Sequence, residues 1–228
     1  PVVFWIKQQI YKWVNKKVAK KSSHIITISN FVKNDLIKFT GVNPEKITVT
    51  LESADELPKG NEPVDELIGK KFIMYIGRPT PHKNLRRLID AFALLQEKYP
   101  DLTLALAGKK DSNYARHETY VNEHGIKNVV FTGFISDEQL RWMYENTAVY
   151  CFPSLSEGFG LPGLEAMLHG APVASSTATC LPETHGDAAH YFDPFSVEDI
   201  AKSIDDILSD DKLRNELVKK GKKHVKTF

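Results

Sequence analysis

Ala148-Val-Tyr-Cys-Phe152-Pro-Ser-Leu-Ser-Glu157-Gly-Phe-Gly-Leu-Pro-Gly-Leu-Glu165-Ala-Met-Leu-His-Gly170 joins an apolar run, a loop with three glycines and a short helical pattern closed by glycine. Glycines at a strand-to-helix turn let backbone N–H groups approach a ligand. The helix start adds unpaired donors and the positive end of a dipole, so the turn favours an anion. Glu157 and Glu165 bracket the loop and, both being acids, cannot serve that anion. They fit as acceptors for hydroxyl groups, as on a sugar and a ribose. The stretch therefore reads as part of a pocket for a sugar nucleotide. A bland account is a glycine turn with Glu157 solvated and Glu165 in the first turn of a helix, where acids are favoured. Gly-Phe-Gly-Leu-Pro-Gly is denser in glycine than a connection needs.

Outward from this stretch the same strand–loop–helix unit recurs. Strands are expected at Phe72–Ile76, Leu102–Ala107, Val129–Phe131, Ala148–Phe152, Pro172–Ala174 and about His190–Phe192. Helices are expected at Leu85–Lys98 with Asn84 as cap, about Asn113–His124, from Ser136 with Gln139 three residues on, and at Leu164–Leu168. Another follows the cap Ser196. This alternation predicts an α/β, Rossmann-like doubly wound parallel sheet, with ligands beyond the carboxyl ends of the strands.

The chain of 228 residues is 42% hydrophobic and 26% charged, as in ordinary globular proteins, and its net charge of +1 gives no global field for nucleic acid. No apolar run is long enough to cross a bilayer. Cys151 and Cys180 lack metal-ligand spacing and read as reduced and cytosolic. Residues 2–21 carry Phe4, Trp5, Ile10, Trp13, Val14 and Val18 at roughly helical spacing among Lys7, Lys12, Lys16, Lys17, Lys20 and Lys21, with no acid before Asp35. This is a surface helix or a basic amphipathic face for an anionic membrane, the inner cytoplasmic leaflet. A short α/β segment follows: strands at His24–Ser29 and Ile47–Thr50 flank a helix at Phe31–Phe39 that Ser29 or Asn30 caps and Gly41 ends. From Glu52 to Lys71 proline, glycine and charge dissolve the pattern. The expected organisation is a remnant segment 1–57, a linker 58–71 and the Rossmann-like domain 72–228.

Three further clusters sit at strand ends. Gly77-Arg78 leads to His82-Lys83-Asn84 just before a helix, where a cation is against the dipole preference unless an anion lies between Arg78 and Lys83. Gly108-Lys109-Lys110 and Thr132-Gly133-Phe134 are suited to flank a planar base, although ordinary strand-end turns look the same.

These clusters, in this order, resemble the C-terminal domain of the retaining glycosyltransferases of group 1, also called family 4, which have the GT-B fold. The resemblance rests on Gly77-Arg78 with Lys83-Asn84, on Phe131-Thr-Gly133-Phe134, and above all on Pro153 through Glu165-Ala-Met, which matches the family's two-glutamate signature. Gly170-Ala-Pro-Val-Ala and Leu181-Pro-Glu183 through Gly186-Asp-Ala-Ala189 continue it. It implies that Arg78 and Lys83 hold the donor diphosphate and that Glu157 faces the donor sugar, these three being the catalytic set. It also implies that Gly158, Phe159, Gly160 and Leu161 contact sugar and phosphate through their backbone. Glu165 would hold the ribose, with Gly77, Lys109, Gly133 and Phe134 completing the nucleotide-sugar site.

The implied reaction moves a hexose to an acceptor hydroxyl with retention, without cofactor or catalytic metal. Pro81-His82-Lys83-Asn84 favours GDP-mannose over a UDP-sugar, and a glycan or lipid-linked acceptor fits the basic first helix. The alternative is a non-catalytic nucleotide-binding or assembly module sharing the fold. The chain departs from the family in two places. The catalytic histidine and glycine-rich donor loop of the N-terminal half have no match, and Thr50-Leu-Glu52-Ser-Ala-Asp55 stands where an Asn-Gly-Val-Asp turn is common. With Pro1 at its start and Thr227-Phe228 before the family's crossing helix, the chain reads as a donor-binding half that does not transfer sugar alone.

Overall fold

A computed structural model describes residues 2–60 and 62–228; Pro1 and Asn61, in the expected remnant segment and linker, lie outside the described residues. The chain divides into two compact units, 1–52 and 53–228. In the first, α1 (Val2–Lys21) is followed by β1 (Ile25–Thr27), α2 (Asn30–Thr40) and β2 (Ile47–Val49), with β1 and β2 paired in parallel. The Ser29 side chain accepts from the Val32 N–H, and Gly41, at φ 68°, closes α2 in the left-handed conformation. A small core of Ala19, Val42 and Ile47 holds this unit.

In the second unit six strands, β3 (Phe72–Ile76), β4 (Thr103–Ala107), β5 (Val129–Gly133), β6 (Val149–Phe152), β7 (Val173–Ser176) and β8 (Ala189–Phe192), pair in the order β5-β4-β3-β6-β7-β8. Every pairing is parallel, as the strand–helix alternation requires. Between them run α3 (Leu85–Leu95), α4 (Ser112–Glu123), α5 (Asp137–Asn146), α6 (Leu161–Leu168) and α7 (Leu181–His185), and α8 (Val197–Ser209) and α9 (Asp211–His224) close the fold. On one face Ile73, Leu104 and Leu106 pack with Leu88, Ile89 and Phe92 of α3 and Ile200 and Ile204 of α8. On the other, Phe72 stacks on Trp142 and Tyr150 meets Tyr144 edge-on. Each such fully buried side chain contributes about 1.5–3 kcal/mol, so stability resides in the sheet and the strand-end loops can carry polar groups.

Ser136 and Gln139 form the expected capping box. Asn84 does not cap α3: it stands at the cap position with φ 60°, and its side chain makes no capping bond. α6 starts at Leu161 rather than Leu164, because Gly160 turns the chain at φ 102° and Pro162 fits the first helical turn. The 53–60 segment belongs to the second unit through Leu57. Its N–H donates to His169 Nε2 at 3.3 Å, and its carbonyl accepts from Arg141 at 2.7 Å. Cys151 and Cys180 are buried and unpaired, and burial pushes the Cys180 thiol up to about 11.

Candidate active site at the sheet switch point

Chain order along the sheet reverses between β3 and β6. The crevice at such a point, beyond the carboxyl ends, is where doubly wound sheets bind ligands. From β3 come Gly77, Arg78 and Lys83; from β6 come the 153–160 loop and Glu157. Backbone and one buried amide tie the two loops together. Leu155 N–H donates to the His82 carbonyl at 2.7 Å, and Asn84 Nδ2 donates to the carbonyls of Pro153 at 3.0 Å and Pro194 at 2.8 Å. Left-handed backbone at Asn84 turns the chain so that Lys83 faces the β6 loop.

There Lys83 Nζ meets Glu157 Oε1 at 2.6 Å, with the two side chains only 22% and 13% exposed. The counter-anion expected for Lys83 is thus supplied by Glu157 in this structure, across 74 positions of sequence. Arg78 is exposed on the same strand end, and among the described residues no carboxylate forms an ion pair with it. Glu157 is fixed from behind as well: its N–H donates to Thr179 Oγ1 at 3.0 Å. Thr179 has φ 56°, unusual for a β-branched residue and worth about 1–3 kcal/mol of strain. That strain is stored directly under one member of the ion pair.

The other expected site residues line the same edge. Gly77 N–H donates to Ala107, and Gly108 N–H to Gly133, each at 3.0 Å, so the ends of β3, β4 and β5 stand in a row. Lys109 is exposed there, and Phe134 is 85% exposed, with a free aromatic face. Glu165, on α6, is half-buried; burial raises its carboxyl, and the hydrogen bond from Tyr144, at 3.3 Å, partly offsets this. Phe159 is buried against Phe228, ring centroids 5.8 Å apart, which leaves its backbone rather than its ring for a ligand. No side chain caps the start of α6, and the positive end of its dipole lies beside Gly160 and Leu161.

A family profile described as "Glycosyl transferases group 1" matches residues 60–224. The chain belongs to the group 1 glycosyltransferases. Among curated relatives, "O-antigen chain mannosyltransferase B" of Escherichia coli is 32% identical over 219 residues, covering 90% of this chain and 56% of that one. "MMP alpha-(1->4)-mannosyltransferase" of Mycolicibacterium hassiacum is 29% identical over 214 residues, covering 90% and 51%. The chain thus spans slightly more than half the length of these relatives. The fold superposes on sucrose-phosphate synthase from Thermosynechococcus elongatus with TM-score 0.83 at 24% identity, covering 96% of this chain and 57% of that one. It superposes on Anabaena Alr3699/HepE, in complex with UDP and glucose, with TM-score 0.81 at 21% identity, covering 96% and 63%. These likenesses, to glycosyltransferases of the GT-B architecture, concern the fold.

Sequence reasoning missed Asn84 as a tie, Thr179 and Tyr144. Only Asn84 carried a local signal, since asparagine tolerates the left-handed region better than other non-glycine residues. A groove of about 450 Å³ beside α9 is lined by Asp187, Glu216, Lys219, Lys220, Lys223, His224 and Thr227, and by none of the expected site residues. Its Lys220 is already paired with Asp187 and Glu216. The switch-point crevice, with its ion pair and its strained support, is therefore a better candidate than this groove. Among the described residues no group of three His, Cys, Asp or Glu is placed to hold a metal ion.

Proposed function

We propose that this chain is the donor-binding part of a retaining hexosyltransferase, with GDP-mannose as donor and a glycan or lipid-linked hydroxyl as acceptor. The observation that carries the reading is the meeting of Lys83 and Glu157 at 2.6 Å across the switch point, beside the exposed Arg78. Mannose as the sugar draws on the mannosyltransferases among the relatives. In this reading the diphosphate takes Lys83 and Arg78, and Glu157 exchanges its lysine partner for hydroxyls of the transferred sugar. As the glycosidic bond breaks, negative charge grows on the departing diphosphate, and the two fixed cations stabilise it more than they stabilise the bound donor. The α6 start adds backbone N–H groups to the same task, and Glu165 accepts from the ribose.

Calorimetric titration of GDP, UDP, GDP-mannose and UDP-glucose tests the assignment. GDP and GDP-mannose are expected to bind, more tightly than the uridine ligands, and Arg78→Ala is expected to weaken both. Absence of binding by all four would remove the donor reading. Binding without transfer or donor hydrolysis by the chain joined to an acceptor-side half would instead favour a nucleotide-binding or assembly module.

Membrane contact at the cytoplasmic face is part of the proposal. No helix among the described residues is long and apolar enough to cross a membrane. α1 exposes Phe4, Trp5, Ile10, Trp13 and Val18, each 56% or more, beside lysines that extend along the helix. Each lysine near an anionic surface contributes about 1 kcal/mol, and the attraction is screened by salt. The protein is expected to sediment with phosphatidylglycerol vesicles at low ionic strength and to be released by salt. A protein left in the supernatant at low salt would remove this part.

A further inference from the structure

His185 ends α7 and is fully buried, yet it is not among the residues to which any role has been given. Its ring reaches under the glycine turn. Nε2 lies 3.1 Å from the Gly160 carbonyl, and Nδ1 lies 3.1 Å from the Ser175 hydroxyl on β7. Burial lowers its pKa to about 4, so the ring is neutral near pH 7. A carbonyl can only accept, which places the proton on Nε2 and makes Nδ1 the acceptor for Ser175. The ring also packs on Phe152, centroids 5.6 Å apart.

What this contact fixes follows from the peptide bond. The unit joining Gly160 and Leu161 is planar and trans, so its carbonyl and N–H point in opposite directions. Drawing the Gly160 carbonyl down onto His185 therefore aims the Leu161 N–H away from the core. Leu161 opens α6, and Pro162, the next residue, has no N–H. The Gly160 carbonyl also accepts from Gly163 N–H at 3.0 Å, so one oxygen anchors both the turn and the first helical bond. A Cβ on Gly163 would lie 2.3 Å from His185 Nε2: the imidazole fills the space that a side chain at 163 would need. α7 is itself held, because His224 Nε2 lies 2.7 Å from the Thr184 carbonyl and Tyr191 donates to the Gly186 carbonyl at 2.7 Å.

We propose that His185 is a positioning residue that sets the Gly158–Leu161 turn in the shape that receives the donor phosphate and sugar. The inference rests on the donor reading above. It acts through the Gly160–Leu161 peptide and does not touch the donor.

The test uses the whole 228-residue chain. It combines calorimetry with GDP and GDP-mannose, amide hydrogen exchange over residues 158–164, and thermal unfolding. His185→Ala is expected to speed exchange at the turn and to weaken GDP-mannose about 10-fold, the worth of one lost hydrogen bond. His185→Gln, which keeps an N–H donor for Gly160, is expected to recover most of both. Gly163→Ala alone should act like His185→Ala by displacing the ring. In the double variant the two effects should not add, because the space is then free. Wild-type affinity and exchange in His185→Ala, or additive losses in the double variant, overturn the proposal. If His185→Ala does not fold, the comparison of His185→Gln with Gly163→Ala decides: near-native affinity in the first and loss in the second support it, and equal affinities overturn it. If the wild-type chain binds no nucleotide, the donor reading falls, and with it the donor role of His185. The exchange data then still report whether His185 holds the turn.

Discussion

Lys83→Ala is expected to lower sugar transfer by about 10²–10³-fold in the complete enzyme, with a smaller loss in donor affinity. The asymmetry follows from when the charge appears. In the proposed donor site a bound nucleotide diphosphate already carries negative charge that Arg78 would share, but the departing diphosphate gains more as its bond to the sugar breaks. A fixed cation aimed at that site in a half-buried crevice contributes about 3 kcal/mol to the transition state. Lys83→Arg should not restore the rate, because a planar fork cannot take the place of a point charge held 2.6 Å from Glu157. The same ion pair predicts an effect of opposite sign on binding. In the proposed site GDP without its sugar would compete with Glu157 for Lys83, and a partly exposed pair is worth up to about 1 kcal/mol. Glu157→Gln should therefore tighten GDP by up to about 5-fold while transfer falls, since the sugar loses its acceptor. Steady-state rates and calorimetry on the two variants measure both. A wild-type rate in Lys83→Ala, or weaker GDP binding in Glu157→Gln, would count against the roles given to them.

Features readable from the chain were those whose physics is local. β3 spans Phe72–Ile76, the apolar run itself, because a strand buried on both faces declares itself as continuous hydrophobicity. Ser136 and Gln139 announce their box because both partners lie within one helical turn. The parallel order of the sheet follows from alternation, and with it the edge on which Arg78, Lys83 and Glu157 gather. Short elements escaped. α7 has five residues, too few for a period to register, and it carries His185. Contacts made by the site were also out of reach, since Thr179 meets Glu157 from 22 positions away and in a backbone conformation that its residue type disfavours. The start of α6 was legible in principle, because a glycine followed by leucine and proline is a helix-opening pattern. Reading the glycines as loop alone concealed it.

Asn84 illustrates how a residue read as a local cap serves distant loops instead, and its replacement should produce the largest loss of stability outside the apolar core. Its Nδ2 donates to carbonyls 69 and 110 positions away, at Pro153 and Pro194, while its Oδ1 accepts from Arg87 at 2.9 Å. The residue is 4% exposed, so water cannot replace these bonds without rearrangement. Asn84→Ala removes both donors, at about 1–1.5 kcal/mol each, and places a Cβ-bearing residue without local hydrogen bonds at φ 60°, at about 1 kcal/mol more. The sum, about 3–4 kcal/mol, is a large part of a typical stability. Asn84→Gly accepts the backbone conformation and should lose about 1 kcal/mol less, so the pair of variants separates strain from lost bonds in urea denaturation. Because the glycine variant retains the turn but not the tie to Pro153, it should fold and still bind GDP more weakly than the wild type. Lys83 is the neighbouring residue, and its reach to the β6 loop depends on that tie. Equal stability of Asn84→Ala and the wild type would mean that the Leu155–His82 backbone bond and the Lys83–Glu157 pair hold the two loops without it.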